Sequence, residues 1–242
     1  MDKLIINGDD FGMNERCTKA IARAFSEELI THTSMMANGA YFREAVRLMR
    51  EEGFSDRVGL HFNLTEGEPL TEEIKRLPDF VSDGRFHKMY LKQPHPLNDA
   101  QQGVIYRELS AQALRLRQAG IVIPHADSHH YIHNLAPLAP IAARVCRENH
   151  IPRIRLNRTF DSPSHPRMTE NRIPNAWWRE QGFVTAAHFG RLSDVAGTAI
   201  PDNTEIMVHP DLDQNGNLID RTGMTDGFPT GPTLGKLAEL YR

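Results

Sequence analysis

Short apolar runs alternate along this chain with longer segments of helical period, and a polar cluster follows nearly every run. The pattern predicts strands at 3–7, 33–37, 57–60, 121–123, 154–156, 183–187 and 205–208. It predicts helices over 14–28, 42–52, 101–119 and 136–149, with a short one after Pro232. In the first helix Asn14 is placed to cap the N-terminus, and Ala20, Ile21, Ala24 and Phe25 form one apolar face. In the third, Ile105, Leu109, Ala113 and Leu116 share a face that Gly120 terminates. Residues 65–100 break the alternation: rich in Gly, Pro and charge, they are too long for a routine connection and are expected to form a lid or substrate-binding insert.

Strands alternating with helices imply an α/β fold with parallel pairing through right-handed crossovers. Seven β/α units describe a barrel one unit short of eight, hence distorted or open; a doubly wound open sheet satisfies the same pattern. No Pro/Ser-rich linker divides the chain, so 1–242 is expected to be a single catalytic domain.

Composition narrows the function classes. The chain has 242 residues with a formal net charge of −3 and no long run of either sign. That argues against a nucleic-acid surface or an electrostatic membrane anchor. Cys17 and Cys146 form no CxxC pair, which speaks against a disulfide framework or a structural zinc site. The opening MDKLIINGDD lacks the features of a signal peptide, and no stretch is long and apolar enough for a membrane span, so a cytoplasmic protein is expected.

The candidate chemistry is positional. Asp9 and Asp10 follow the first predicted strand, His61 the third, and the run HADSHHYIH (125–133) the fourth. Arg155 and Arg158 lie at the end of the fifth, His188 after the sixth and His209 after the seventh. Parallel α/β architectures gather C-terminal strand ends on one face, where active sites form. Any one of these residues has a bland reading as turn, loop or core; their joint placement does not.

Two adjacent carboxylates in NGDDFG can divide the work, one binding a cation and the other remaining a free base. Gly8 and Gly12 do not match a phosphate-binding fingerprint. Within HADSHHYIH, an extended chain puts His125, Asp127 and His129 on one side. A helix beginning near Ser128 would instead pair His129 with His133 at i,i+4. His125 and Asp127 are candidates for orienting the ligands. An aspartate with two histidines leaves coordination positions open for water and substrate, as hydrolysis requires. His209 in MVHP is suited to protonating a leaving nitrogen, and Arg155 to fixing the base aspartate or binding substrate. Two decoys are set aside. DLDQNG at 211–216 has Thr222 where a calcium loop needs a bidentate Glu, and reads as an Asx-type turn. Trp177 and Trp178 fit a helix packing its aromatics inward better than a sugar platform.

Together NGDDFG, GLHFNLT, HADSHHYIH, RLNR (155–158) and MVHP resemble, in order, the motifs of the YdjC-like carbohydrate deacetylases, including chitooligosaccharide deacetylase. The resemblance spans Asn7 to Pro210. It implies a distorted TIM-like (β/α)7 barrel, magnesium dependence, removal of N-acetyl groups from amino sugars or short oligosaccharides, and a homodimer. It also implies Asp10, His61 and His129 as metal ligands, Asp9 as general base and His209 as acid, with Arg155 in the catalytic set. His125, Asp127, His133 and Arg158 are then supporting or substrate-binding residues. Gly8 stands where the family usually has Ala, and the tail after His209-Pro210 is short. Zinc competes with magnesium on chemical grounds, because two imidazoles are more nitrogen than magnesium usually takes. Two other functions fit the residues: a metal-dependent hydrolase of another bond such as a phosphoester, and a non-catalytic sugar-binding protein. A spare aspartate beside the ligands favours the enzyme.

Overall fold

The computed structural model describes residues 4–160, 171–195 and 199–235. Seven parallel strands form the central sheet: β1 (Leu4–Phe11), β2 (His32–Met35), β3 (Val58–Phe62), β4 (His125–Ser128), β5 (Arg153–Ile154), β6 (His188–Arg191) and β7 (Thr204–Val208). Their spatial order is β5-β4-β3-β2-β1-β7-β6, with every pairing parallel. The order is that of a barrel read around its wall, with a seam between β5 and β6. There the ladder is reduced to isolated contacts: Ile154 N donates to Val184 O (3.0 Å) and Thr159 N to Phe189 O (2.9 Å). The sheet is thus a distorted (β/α)7 barrel and not a doubly wound layer.

Helices α1 (Glu15–Ser26), α2 (Phe42–Glu51), α3 (Asp99–Gln118) and α4 (Ala139–Glu148) cover the outside. Their local signals act as the sequence predicts. Asn14 accepts from Cys17 N at 3.1 Å, and Ala20, Ile21, Ala24 and Phe25 are buried. Asn98 and Gln101 form a reciprocal capping box, which starts α3 two residues before the predicted point. The short helix α5 (Asn175–Glu180) buries Trp178, whose Nε1 donates to Asn134 Oδ1 at 2.6 Å, so the inward-packing reading holds for Trp178, while Trp177 is partly buried against the same core.

Two predicted strands are displaced. Residues 121–123 form no strand, because Ile123 adopts φ +58°, and the strand begins at His125. The run HADSHHYIH therefore supplies β4 with its first four residues, while His129, His130 and His133 lie in the turn that follows. Phe183–Ala187 contributes a single parallel bridge, Val184 to Arg153, and the continuous strand begins at His188. His188 consequently opens β6 at the end remote from the other candidates. The predicted helix after Pro232 falls largely outside the described residues.

Residues 65–100 carry the hairpin Val81–Ser82/Arg85–Phe86 and a short helix, Met89–Lys92, with Ile74, Phe80, Phe86, Tyr90 and Leu97 buried beneath them. Glu108 of α3 anchors the segment by accepting from Thr71 N (2.8 Å) and Leu70 N (3.1 Å). After β7 comes a second hairpin, β8 (Pro210–Leu212) with β9 (Leu218–Asp220). Asp213 Oδ1 at its tip accepts from Asn215 N and Asn217 N, both at 2.8 Å, which is the Asx-type turn expected in place of a calcium loop. Among the described residues no helix is long and apolar enough to cross a membrane.

Candidate active site

In a regular strand, adjacent residues face opposite sides, so Asp9 and Asp10 should part company. A bulge prevents it. Gly8 pairs with Thr33 and Phe11 with Met35, so three steps on β1 oppose two on β2. Asp10 takes the extra step at φ +73°, a left-handed conformation uncommon outside glycine. Both carboxylates thereby line one cleft at the C-terminal ends of the strands. The cleft holds about 190 Å³ and is also lined by His61, His129, His130, Tyr131, Arg191, Met207, His209 and Arg221.

On one side of it Asp10, His61 and His129 converge, each offering a ligand atom within 4.8 Å of the others, all three buried. Asp10 Oδ1 lies 3.2 Å from His61 Nε2 and 2.9 Å from His129 Nδ1. Asp10 Oδ1 and His61 Nε2 are buried without a hydrogen-bond partner among the described residues. Such orphaned atoms are rare and costly unless something outside the chain satisfies them. A carboxylate and two imidazoles with converging lone pairs fit a divalent cation. The outer atoms are held. His61 Nδ1 meets Asp127 Oδ1 at 2.7 Å, and His129 Nε2 meets Glu66 Oε2 at 3.1 Å. This is the arrangement that fixes ring orientation behind a ligating nitrogen. Burial pushes the Asp10 carboxyl up, but the charge and contacts of His129 and His61 outweigh it and hold it well below the ordinary range.

The other side is a buried charge cluster. Arg155 donates to both Asp9 oxygens (2.6 and 2.8 Å), approaches Asp127 Oδ2 at 2.6 Å, and donates through Nε to Glu205 Oε1 at 2.6 Å. Asn7 Nδ2 adds a 2.8 Å bond to Asp9 Oδ1. Burial raises the Asp9 pKa, yet the adjacent guanidinium wins and leaves it below the usual carboxylate value. Burial also raises Glu205, only partly offset by Arg155. Asp9, His61 and Asp127 form a second convergent group, but Arg155 already occupies both carboxylates, so this group does not fit a metal. In this cluster a single guanidinium, Arg155, contacts three carboxylates, two of its bonds going to Asp9.

His209 also lines the cleft, just past the end of β7, whose Val208 pairs with Gly8 of the neighbouring β1. Its N–H donates to Asp220 Oδ1 at 2.8 Å, and its Nδ1 lies 3.9 Å from the same oxygen. Burial raises the Asp220 pKa against the lowering influence of His209.

The remaining candidates sit elsewhere. His125 packs beneath the cleft, where its Nε2 meets Asn7 Oδ1 at 3.0 Å. A Cβ at Gly59 would lie 2.3 Å from that nitrogen, so only glycine permits the packing. No helix pairs His129 with His133. His130 and Tyr131 take left-handed conformations, and His133 turns inward to Ser128 Oγ (2.5 Å) and Arg155 O (2.9 Å). Burial lowers its pKa to about 3, so it is neutral at physiological pH. Arg158 pairs with Asp194 (Nε to Oδ2, 3.0 Å) and is not among the residues lining this cleft. Glu66, Arg191, Arg221, Asp220 and Glu205 escape sequence reasoning. Each is a common charged residue in no motif, and only the tertiary fold distinguishes it from a solvated one.

Comparison with known proteins places the chain in a family. Residues 3–233 match the family described as YdjC-like protein. A carbohydrate deacetylase of Listeria welshimeri serovar 6b is 36% identical over 133 residues, 55% of this chain and 53% of that protein. A carbohydrate deacetylase of Brevibacillus brevis is 36% identical over 150 residues, 62% of this chain and 58% of that protein. The alignments thus reach just over half the length of these relatives. In fold, the chain is similar to a crystal structure from Enterococcus faecalis V583 named provisionally for cellobiose-phosphate cleavage, with TM-score 0.68 and 24% identity over 88% of this chain and 83% of that one.

Proposed function

The chain belongs to the YdjC-like family, and from that premise we propose that it is a metal-dependent hydrolase removing N-acetyl groups from acetylated amino sugars or short oligosaccharides of the chitooligosaccharide type. The observation that carries the reading is the pair of orphaned atoms, Asp10 Oδ1 and His61 Nε2, beside a carboxylate already held ionised by Arg155.

Asp10, His61 and His129 are the proposed ligands. A divalent ion held there would supply Lewis acidity toward an amide carbonyl and an acidified water. The donor set suits zinc at least as well as the magnesium implied by resemblance. The chain's own residues do the proton work. Asp9 is ionised, oriented by two bonds from Arg155, and placed to accept the proton of the attacking water. His209 lines the same cleft from the end of the neighbouring strand, tethered by its backbone to Asp220, and donates a proton to the departing nitrogen. Asp127 and Glu66 fix the two imidazoles, and Arg155 links Asp127 to Asp9 so that base and ligand share one scaffold. A glycosidase would need two carboxylates facing each other across the scissile bond; here the two are consecutive residues of one strand. Residues 1–242 are proposed to act as one catalytic domain, with a homodimer as the assembly.

The test is acetate release from N-acetylated mono- and oligosaccharides by metal-loaded protein. Release abolished by chelator and by Asp9→Asn is expected. No acetate from any of these substrates, with bound metal verified by elemental analysis, refutes the reading.

A further inference from the structure

The three proposed ligands differ in what stands behind them. His61 and His129 are backed by carboxylates, Asp127 and Glu66, at 2.7 and 3.1 Å. Asp10 is backed by a cation: Arg221 Nη2 donates to Asp10 Oδ2 at 2.9 Å, while Nη1 reaches Asp211 Oδ2 at 3.3 Å. Arg221 directly follows β9, far along the chain, and lines the cleft beside Asp10.

The hairpin that delivers it is pinned on several sides. Arg221 N donates to His209 O (2.9 Å) and Asp220 N to Pro232 O (2.8 Å). From α1, Arg23 Nη1 donates to Gly216 O at 2.9 Å, and Arg16 Nε lies 3.5 Å from Asp211 Oδ1. The guanidinium therefore reaches Asp10 from a fixed base.

We infer that Arg221 is a positioning residue that engages one oxygen of Asp10 and so makes Asp10 a one-oxygen ligand of the divalent cation. A carboxylate with both oxygens free can chelate through either or both. With Oδ2 bonded to Arg221, the donor that remains is Oδ1, which is buried and without a hydrogen bond. The backbone points the same way. A residue at φ +73° persists only where its surroundings over-determine it. Met13 N (3.0 Å) and Cys17 Sγ (3.2 Å) hold the Asp10 carbonyl, and Arg221 holds the other end of the residue. Keeping Asp10 to one donor atom preserves positions for water and a substrate carbonyl. The inference rests on the metal reading of this site but not on the bond cleaved.

A guanidinium near a cation also repels it, so a neutral replacement would mix loss of positioning with relief of repulsion. The test keeps the charge. Arg221→Lys retains a positive group but loses the planar fork that spans Asp10 and Asp211. Metal-depleted wild type and variant are titrated with Zn²⁺ by calorimetry, with circular dichroism to verify folding and X-ray absorption to count ligands. A ten- to hundredfold weaker Kd and one additional oxygen ligand are expected in Arg221→Lys. Asp211→Asn, which loosens only the Nη1 anchor, is expected to weaken binding less and in the same direction. Wild-type Kd and ligand count in a folded Arg221→Lys overturn the inference, as does wild-type Kd in Asp211→Asn should the lysine variant not fold. Wild-type protein that binds no Zn²⁺ overturns the metal reading and this inference together, which separates the two failures.

Discussion

Asp9 and Asp10 are neighbours in the chain with opposite surroundings. Every oxygen of Asp9 is bonded, by Arg155 twice and by Asn7. Asp10 has one oxygen on Arg221 and one, equally buried, with no hydrogen bond. An unsatisfied buried polar atom costs about 1–3 kcal/mol. The Asp9 side is therefore complete as a fixed, ionised carboxylate, whereas the Asp10 side turns Oδ1 and two imidazole nitrogens toward one point, the arrangement on which the metal reading rests. One bulge in β1 makes both possible by turning two consecutive side chains to the same cleft.

This contrast can be broken from either side. Removing a ligand should have the largest effect: His129→Ala is expected to lose essentially all metal-dependent acetate release, and chelation of wild type should match it. Next, Asp9→Asn should lower turnover by roughly 10²–10⁴ while leaving metal affinity nearly unchanged. Arg155→Met should act on stability instead, since it leaves Asp9, Asp127 and Glu205 buried without their cation. A loss of about 3–5 kcal/mol by chemical denaturation is expected. Glu66→Gln, at the half-exposed edge of the site, should weaken metal binding only about tenfold, with little effect on folding.

The smallest effect concerns pH. His133 is held neutral by burial, its pKa lowered from 6.5 to about 3. Because the folded value lies below the unfolded one, the unfolded chain binds the extra proton first. Stability is full above about pH 6.5 and declines as pH falls toward 3. In His133→Asn that segment of the stability profile should be flatter than in wild type, measured by urea midpoint at pH 7, 5 and 4.

Where the signal is local, the chain declares itself. Asn14 caps α1, Gln101 completes the box that starts α3, and the order of polar clusters after strands announces one shared face. Strand limits fail where polar residues are buried by partners distant in sequence. HADS is a strand because Asn7, Ser34, His61 and Arg155 satisfy its side chains, whereas the more apolar 121–123 is bent out by Ile123. The ligand candidates are legible because histidine and adjacent aspartates are conspicuous. Arg221 and Glu66 are not, since nothing in LIDRTG or LTEGE marks a charged side chain that will reach back to Asp10 or His129.

The most direct measurement is a paired titration of metal-depleted Asp9→Asn and Asp10→Asn with a divalent ion, read as stoichiometry and Kd against wild type. The account predicts one ion per chain with near wild-type Kd in Asp9→Asn and at least a hundredfold weaker binding in Asp10→Asn. Binding lost in Asp9→Asn and kept in Asp10→Asn would contradict it.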